Sequence, residues 1–326
     1  RLISPRARLA RGVALNPLIV SVAAAAGPSV AAVILSLASW PWLFAVSAPV
    51  GLLALLMGWK FLPANEGVPS LRFDLPSAVL NVLTLGCFFM AVTGVAQGHA
   101  GWWLLGPLLI GGPLGWLFVR RQLSRSMPLL PVDLLRIPIF ALSIGSSITA
   151  FAGQMLAMVS IPFYFQQQLG LNAMQTGLLM TPWPLATMVS APLAGRLLER
   201  FHAGLLGGIG MLLFAGGLWG LAALPDKPGT GAILGWMVLC GAGFGLFQSP
   251  NNHTIITAAP LHRSGGASGM LSTARLVGQT SGAALVALMF NLFVDNGTHA
   301  ALIAAGCFAC LAAAVSTLRL SQPRSG

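Results

Sequence analysis

Acidic residues are nearly missing from this chain: six in 326, beside seventeen Lys and Arg. The six are Glu66, Asp74, Asp133, Glu199, Asp226 and Asp295, and none lies well inside a long apolar run. No intramembrane carboxylate and no in-membrane Asp pair is therefore available. No GxxxxGK[ST] phosphate loop occurs, which argues against a built-in ATP motor. HExxH and Asp-rich diphosphate-binding sequences are absent too, so an intramembrane enzyme has no catalytic set to work with. An ion channel would need a selectivity structure, and none is visible. The four cysteines all sit in apolar runs. Cys307 and Cys310 form a CxxC with no second pair and no nearby His, so they read as packing residues, with no metal or cofactor implied.

Charge of any sign is scarce. Charged residues make up 7% of the chain and hydrophobic ones 56%, against roughly a quarter charged in soluble domains. In place of charge there are long apolar runs, and a membrane helix needs about 20 such residues. The runs are 13–37, 42–59, 76–97, 101–119, 138–164, 173–194, 204–224, 230–250, 266–292 and 299–318. Pro41 divides the uncharged stretch from Val13 to Trp59 into a hairpin. Trp40, Trp42, Trp59, Trp102 and Trp103 fall at run ends, where interfacial aromatics belong.

Fifteen of the seventeen basic residues lie in one alternating set of connections. Arg1, Arg6, Arg8 and Arg11 precede the first run, and Lys60 and Arg72 follow the second. Arg120, Arg121, Arg125 and Arg136 follow the fourth, Arg196 and Arg200 the sixth, Arg263 the eighth, and Arg319 and Arg324 the tenth. The opposite connections hold only Lys227. Cytoplasmic loops keep Lys and Arg while translocated loops lose them. The expected class is thus an all-α polytopic protein of the bacterial inner membrane, with both termini of this piece cytoplasmic. The net charge of +11 is scattered beside apolar runs and makes no dense basic face, so it argues for the lipid bilayer as partner and against nucleic acid. Residue 1 is Arg and an apolar run follows almost at once, so the chain reads as a piece of something longer.

Polar side chains are uneven among the runs. The seventh has no Ser, Thr, Asn or Gln from Leu205 to Leu224, the tenth has none from Ala300 to Val315, and the second has only Ser47. These three read as lipid-facing fringe. The fifth carries Ser143, Ser146, Ser147, Thr149, Gln154 and Ser160, and the ninth Ser268, Ser272, Thr273, Arg275, Gln279, Thr280 and Ser281. Ser268, Ser272, Arg275, Gln279 and Gly282 step by four and three, which makes one helical stripe. Such stripes serve interhelical hydrogen bonds or a wet cavity, and Arg275 favours the cavity. Gly216 with Gly220, Gly241 with Gly245, and Gly278 with Gly282 permit close helix approach. The longest basic connections, 61–75 and 120–137, divide the runs into two, two and six, and Pro63, Pro69, Pro76, Pro128, Pro131 and Pro138 in or beside them favour extended backbone.

Several segments in order resemble the major facilitator superfamily, in its branch of fourteen-span drug:proton antiporters. Ala23 to Ala26 with Gly27-Pro28 is similar to the antiporter motif of the fifth helix, although Ala31-Ala32 replaces the usual glycine pair. Gly195-Arg196-Leu197-Leu198-Glu199-Arg200-Phe201 resembles the cytoplasmic loop motif, with Glu199 for Asp and His202 for Gly. Arg72-Phe73-Asp74 resembles the segment opening the extra helix pair. Gln168-Leu169-Gly170, Gly177-Leu178-Leu179 and Thr181-Pro182-Trp183-Pro184 look like the entry to the tenth span. Gln248-Ser249-Pro250-Asn251-Asn252 and Ser264-Gly265-Gly266-Ala267-Ser268-Gly269 look like the approach to the thirteenth.

The resemblance implies ten helices of an expected fourteen, the chain being a fragment without the first four. Residues 1–61 would close an N-terminal bundle, 62–137 would be an inserted helix pair with its connections, and 138–326 a six-helix C-terminal bundle. It further implies alternating access between bundles and proton-coupled export of small amphipathic or cationic organic compounds. The coupling carboxylate would lie in the absent spans. Gly27, Pro28, Gly195, Glu199 and Arg200 are the expected gating residues. Phe151, Gln154, Tyr164, Phe165, Trp183, Arg275 and Gln279 are the expected substrate-binding ones, the aromatics drawing in cations. A periplasmic adaptor is left open as a further partner. The rival reading is a truncated, non-transporting membrane protein or partner-binding scaffold.

Overall fold

The structure is a computed structural model that describes residues 27, 30–31, 34, 38–39, 41–61, 74–98, 101–125, 128–225, 227–260, 263–294 and 296–321. Among these there is no β-strand. Helices α1 (Pro41–Ala45), α2 (Ser47–Phe61), α3 (Leu75–Ala96) and α4 (Trp102–Leu123) are followed by a 3₁₀ turn, Val132–Arg136. Then come α5 (Pro138–Phe163), α6 (Ala173–Met180), α7 (Pro182–Leu197), α8 (Ala203–Ala222), α9 (Thr230–Ala258), α10 (Ser264–Leu292) and α11 (Gly297–Leu318). Among the described residues, six segments are long and apolar enough to cross a membrane: 41–61, 75–95, 138–168, 203–222, 230–258 and 297–321. The protein is multi-pass. The run at 13–37 lies mostly outside the described residues.

Local chemistry sets the breaks. The run over 173–194 is two helices, not one, because Pro182 has no N–H to continue the ladder after Thr181. Asn172 and Gln175 close a reciprocal capping box at the start of α6. Pro162 lies inside α5, and the chain goes on into a π-turn over Tyr164–Gln168. The connection after α4 is also not simply extended, since Arg120 and Arg121 belong to the last turn of α4.

From α5 onward the helices pack in the order α7, α9, α8, α11, α5, α10, with α5 also touching α9. The α3–α4 pair docks on the outer flank of α10. Helices α8 and α11, expected as fringe, each bury one face. On α11 five of the ten buried residues are alanines (Ala301, Ala305, Ala309, Ala312, Ala313), while Ile303, Leu311 and Leu318 point outward. Small residues let backbones approach where no hydrophobic force from water acts between helices. Gly278 illustrates this: a Cβ there would lie 2.5 Å from the Ile148 carbonyl oxygen of α5, and one at Gly282 would strike the Ala152 carbonyl. Gly241 and Gly245 sit as closely against α7, whereas Gly216 faces open space.

Two ion-pair groups fasten the basic end. Asp74 caps α3, accepting from Ser77 N at 3.3 Å and Ser77 Oγ at 2.6 Å, while Arg121 Nη2 of α4 donates to it at 2.9 Å. Arg125 Nε stands 3.6 Å away. Hydrogen bonds from Ser77 and then Arg121 hold the Asp74 carboxyl down at about 2. Asp133 takes both Arg263 nitrogens, at 2.5 and 2.8 Å, clamping the 3₁₀ turn to the start of α10. That bidentate pair lowers the Asp133 carboxyl and raises Arg263.

Candidate binding face

Arg275 is the twelfth of 29 residues in α10, roughly 17 Å along the helix at 1.5 Å per residue. Its guanidinium lies 4.7 Å over the Phe151 ring of α5. Nε is enclosed with no hydrogen-bond partner, though the residue as a whole is partly exposed. Helix α10 is not among the six segments that are apolar enough by themselves to cross a membrane; in a span, an arginine near the centre costs roughly 2.5–3.5 kcal/mol on insertion scales. A desolvated cation–π contact returns about 2 kcal/mol or more. Phe151 therefore offsets a large part of that cost, and what stays unmet is the hydrogen bond of Nε.

The rest of the α10 stripe behaves as a polar, half-open face. Ser268 and Ser272 are exposed and donate back to the carbonyls of Ser264 and Ser268 at 3.0 Å. Gln279, Thr280 and Ser281 are partly exposed, and Gly282 turns inward on α5. Gln154 of α5 is also partly buried.

The aromatic lining is different from the one expected. Phe151, Tyr164, Phe165 and Trp183 are buried inside the bundle, at 2, 4, 0 and 3% exposure. Edge-to-face contacts run from Phe151 to Phe244 (5.6 Å), Phe244 to Phe214 (5.6 Å) and Phe214 to Trp183 (5.3 Å). The rings fill the core of α5, α7, α8 and α9, and Phe151 presents its face to Arg275 rather than to an outside cation. The serines of α5 are corrected the same way: Ser143, Ser146, Ser147 and Ser160 are fully buried among neighbouring helices.

Of the expected gating set, Gly27 is helical and exposed with open space beside it, and Pro28 lies outside the described residues. Gly195, Glu199 and Arg200 are exposed at the end of α7, where a Cβ on Gly195 would come 3.7 Å from Ser249 Oγ of α9. Glu199 belongs to none of the ion pairs found among the described residues.

One residue taken from the sequence as a loop charge is the largest fully buried side chain of the described molecule. Arg319 closes α11 and is 0% exposed. Its Nη1 donates to Asn251 Oδ1 of α9 at 2.7 Å and to Ser143 Oγ of α5 at 3.1 Å. Nε donates to the Ser316 carbonyl at 3.2 Å, and Nη2 to Ser316 Oγ. Asn251 Nδ2 passes on to Ser147 Oγ at 2.7 Å, and Ser316 Oγ to the Gly204 carbonyl of α8 at 3.1 Å. Four helices meet on one cation solvated entirely by neutral dipoles.

A shallow apolar recess of about 320 Å³ at the other end of the α3–α4 pair is lined by Phe89, Met90, Thr93, Gly94, Gln97 and Trp103. It holds no ionisable group and no part of the stripe. Among the described residues no cluster of His, Cys, Asp or Glu could hold a metal.

The family model described as Major Facilitator Superfamily matches residues 1–283 and 142–325. The "Uncharacterized transporter YebQ" of Escherichia coli (strain K12) is 60% identical over all 326 residues, which cover 71% of that protein. The "Lincomycin resistance protein LmrB" of Listeria monocytogenes is 30% identical over 61% of this chain and 43% of its own length. The "Tetracenomycin C resistance and export protein" of Streptomyces glaucescens is 28% identical over 92% and 57%. The chain thus spans about seven tenths of the first relative and about half of the other two.

Proposed function

The chain belongs to the Major Facilitator Superfamily, and from that premise we propose that its full-length parent exports small amphipathic organic compounds by proton-coupled alternating access. The observation that carries this reading is the half-open polar face of α10. It puts Arg275 and Gln279 deep in a helix whose other side is packed glycine-to-backbone on α5. A lipid-facing helix has little use for a guanidinium that leaves a donor unpaired. The relatives named for resistance and export support this class of solute. Phe151, Tyr164, Phe165 and Trp183 are buried in the described bundle, so this reading leans on the α10 face.

Coupling needs a titratable group in the membrane. No carboxylate lies in the described helices, so we place that group in the part of the parent outside this chain. Glu199 and Arg200, exposed at the end of α7, are placed to meet a facing bundle and latch one conformation. Gly27 and Pro28 would bend the helix that answers them. The positive-inside pattern puts both ends of this piece on the cytoplasmic side of the inner membrane.

Cells expressing the full-length parent should accumulate less Nile red than empty-vector cells, and a protonophore should erase the difference. Equal accumulation in both strains, or an efflux that survives the protonophore and stops on ATP depletion, refutes secondary export.

A further inference from the structure

Arg275 has no carboxylate within the described membrane helices: Asp74 caps α3, Asp133 sits in the 3₁₀ turn and Glu199 follows α7. The face of Phe151 is already taken by its guanidinium, and the remaining rings of the expected cage are inside the core. Among the described residues this face therefore offers an outside solute one fixed positive charge with amide and hydroxyl groups, and Arg275 belongs to none of the ion pairs found there. Ser272 lies three residues before Arg275 and Gln279 four after, on the same side of α10.

We propose that Arg275 is an anion-recognising subsite, which takes the carboxylate, sulfonate or phenolate of an amphipathic organic anion while Gln279 donates beside it. The proposal rests on the reading of this face as the transport route and narrows its substrate class. A planar guanidinium suits such a group, since it can present two parallel N–H donors. A lipid headgroup is a poor source of the anion. Arg275 is roughly 17 Å from the start of α10, about the half-thickness of a 30 Å hydrocarbon core. The solute's own charge thus completes a pairing that the described protein leaves open, on a half-buried face where the attraction is less screened than in open water.

Tetraphenylborate and tetraphenylphosphonium have nearly one shape and opposite charge, so they separate charge recognition from apolar partition. Their binding to the detergent-purified full-length protein is measured against protein-free micelles. The borate has no acceptor atom and reports charge attraction alone, so it is expected to bind about tenfold more tightly than the phosphonium. Arg275→Gln should erase that preference, and Arg275→Lys should keep most of it. A phosphonium preference in the native protein, or an Arg275→Gln protein that keeps the borate preference, overturns the proposal. If Arg275→Gln does not fold, the native ratio and the Lys variant still decide. Because the readout is equilibrium binding, it is separable from dye export: export without borate preference sinks only this proposal, and borate preference without export sinks only the transport reading.

Discussion

Replacing Arg319 by Met keeps an unbranched stem as far as Nε and removes the charge and all the donors. The native guanidinium makes four hydrogen bonds, to Asn251 Oδ1, Ser143 Oγ, the Ser316 carbonyl and Ser316 Oγ. A bond involving a charged group contributes about 1.5–3 kcal/mol, and a buried acceptor left empty costs about 1–3 kcal/mol. Against this, the cation no longer has to be desolvated, and that relief is several kcal/mol per ion. Asn251 Oδ1 has its short bond only from Arg319, so its loss is not made up by a neighbour. We expect a net destabilisation of about 2–4 kcal/mol, less for Arg319→Lys, which keeps the charge but loses the planar fork. The melting temperature of the full-length protein in detergent, followed by fluorescence-detected gel filtration, should fall by roughly 5–10 °C for Arg319→Met. Arg120→Met, which lifts an exposed guanidinium from the Trp116 ring, is the charge-matched control and should move it by about 1 °C or less. A melting temperature for Arg319→Met within that same margin would show that the dipoles only offset desolvation and do not bind the four helices together.

The Asp74 carboxyl is held down at about 2 from an ordinary 3.8, so its contribution to folding is full above the ordinary value and is lost as the pH falls through about 2. Amide exchange at Ser77 should accelerate across that window, and Asp74→Asn should show the fast rate already at neutral pH. A Cβ on Gly282 meets the Ala152 carbonyl, so Gly282→Val should cost about 1–3 kcal/mol by overpacking and lower membrane abundance, while Leu276→Ala on the exposed side of α10 should leave it unchanged. Reporter fusions at Gly98 and Gly229 should read periplasmic and those at Ser124 and Gly326 cytoplasmic; one reversed site with its neighbours intact would refute the topology.

The helices and their small-residue contacts were legible in the sequence because they rest on short-range pattern. An apolar run of the right length makes a membrane helix, and glycines four apart mark a face, as Gly278 and Gly282 do against α5. The stripe with Arg275 was legible for the same reason. Orientation of the aromatics was not. Helix α5 carries Ser143, Ser146, Ser147, Thr149, Gln154 and Ser160 on more than one face, so periodicity could not say whether Phe151 points into the bundle or away from it. The burial of Arg319 was hidden more deeply. An arginine just after an apolar run reads as a flanking charge, and its partners Ser143 and Asn251 stand 176 and 68 residues away. The one hint in the sequence is the Gln248–Asn252 segment, polar inside a long apolar helix. Likewise the break at Thr181–Pro182 was in plain view, but a run of suitable length concealed it.

The depth of Arg275 also has an electrical meaning. A unit charge crossing the whole membrane field does work of about 2.3 kcal/mol per 100 mV. Were α10 to ratchet by one helical turn, 5.4 Å of a roughly 30 Å core, the guanidinium would cross about a sixth of that field, or about 0.4 kcal/mol. That is less than thermal energy. The voltage dependence of a transport cycle would therefore not originate in the movement of this residue. A solute anion riding on it would instead cancel its charge, so the loaded helix would move through the field almost without electrical work and the empty one would carry the bias.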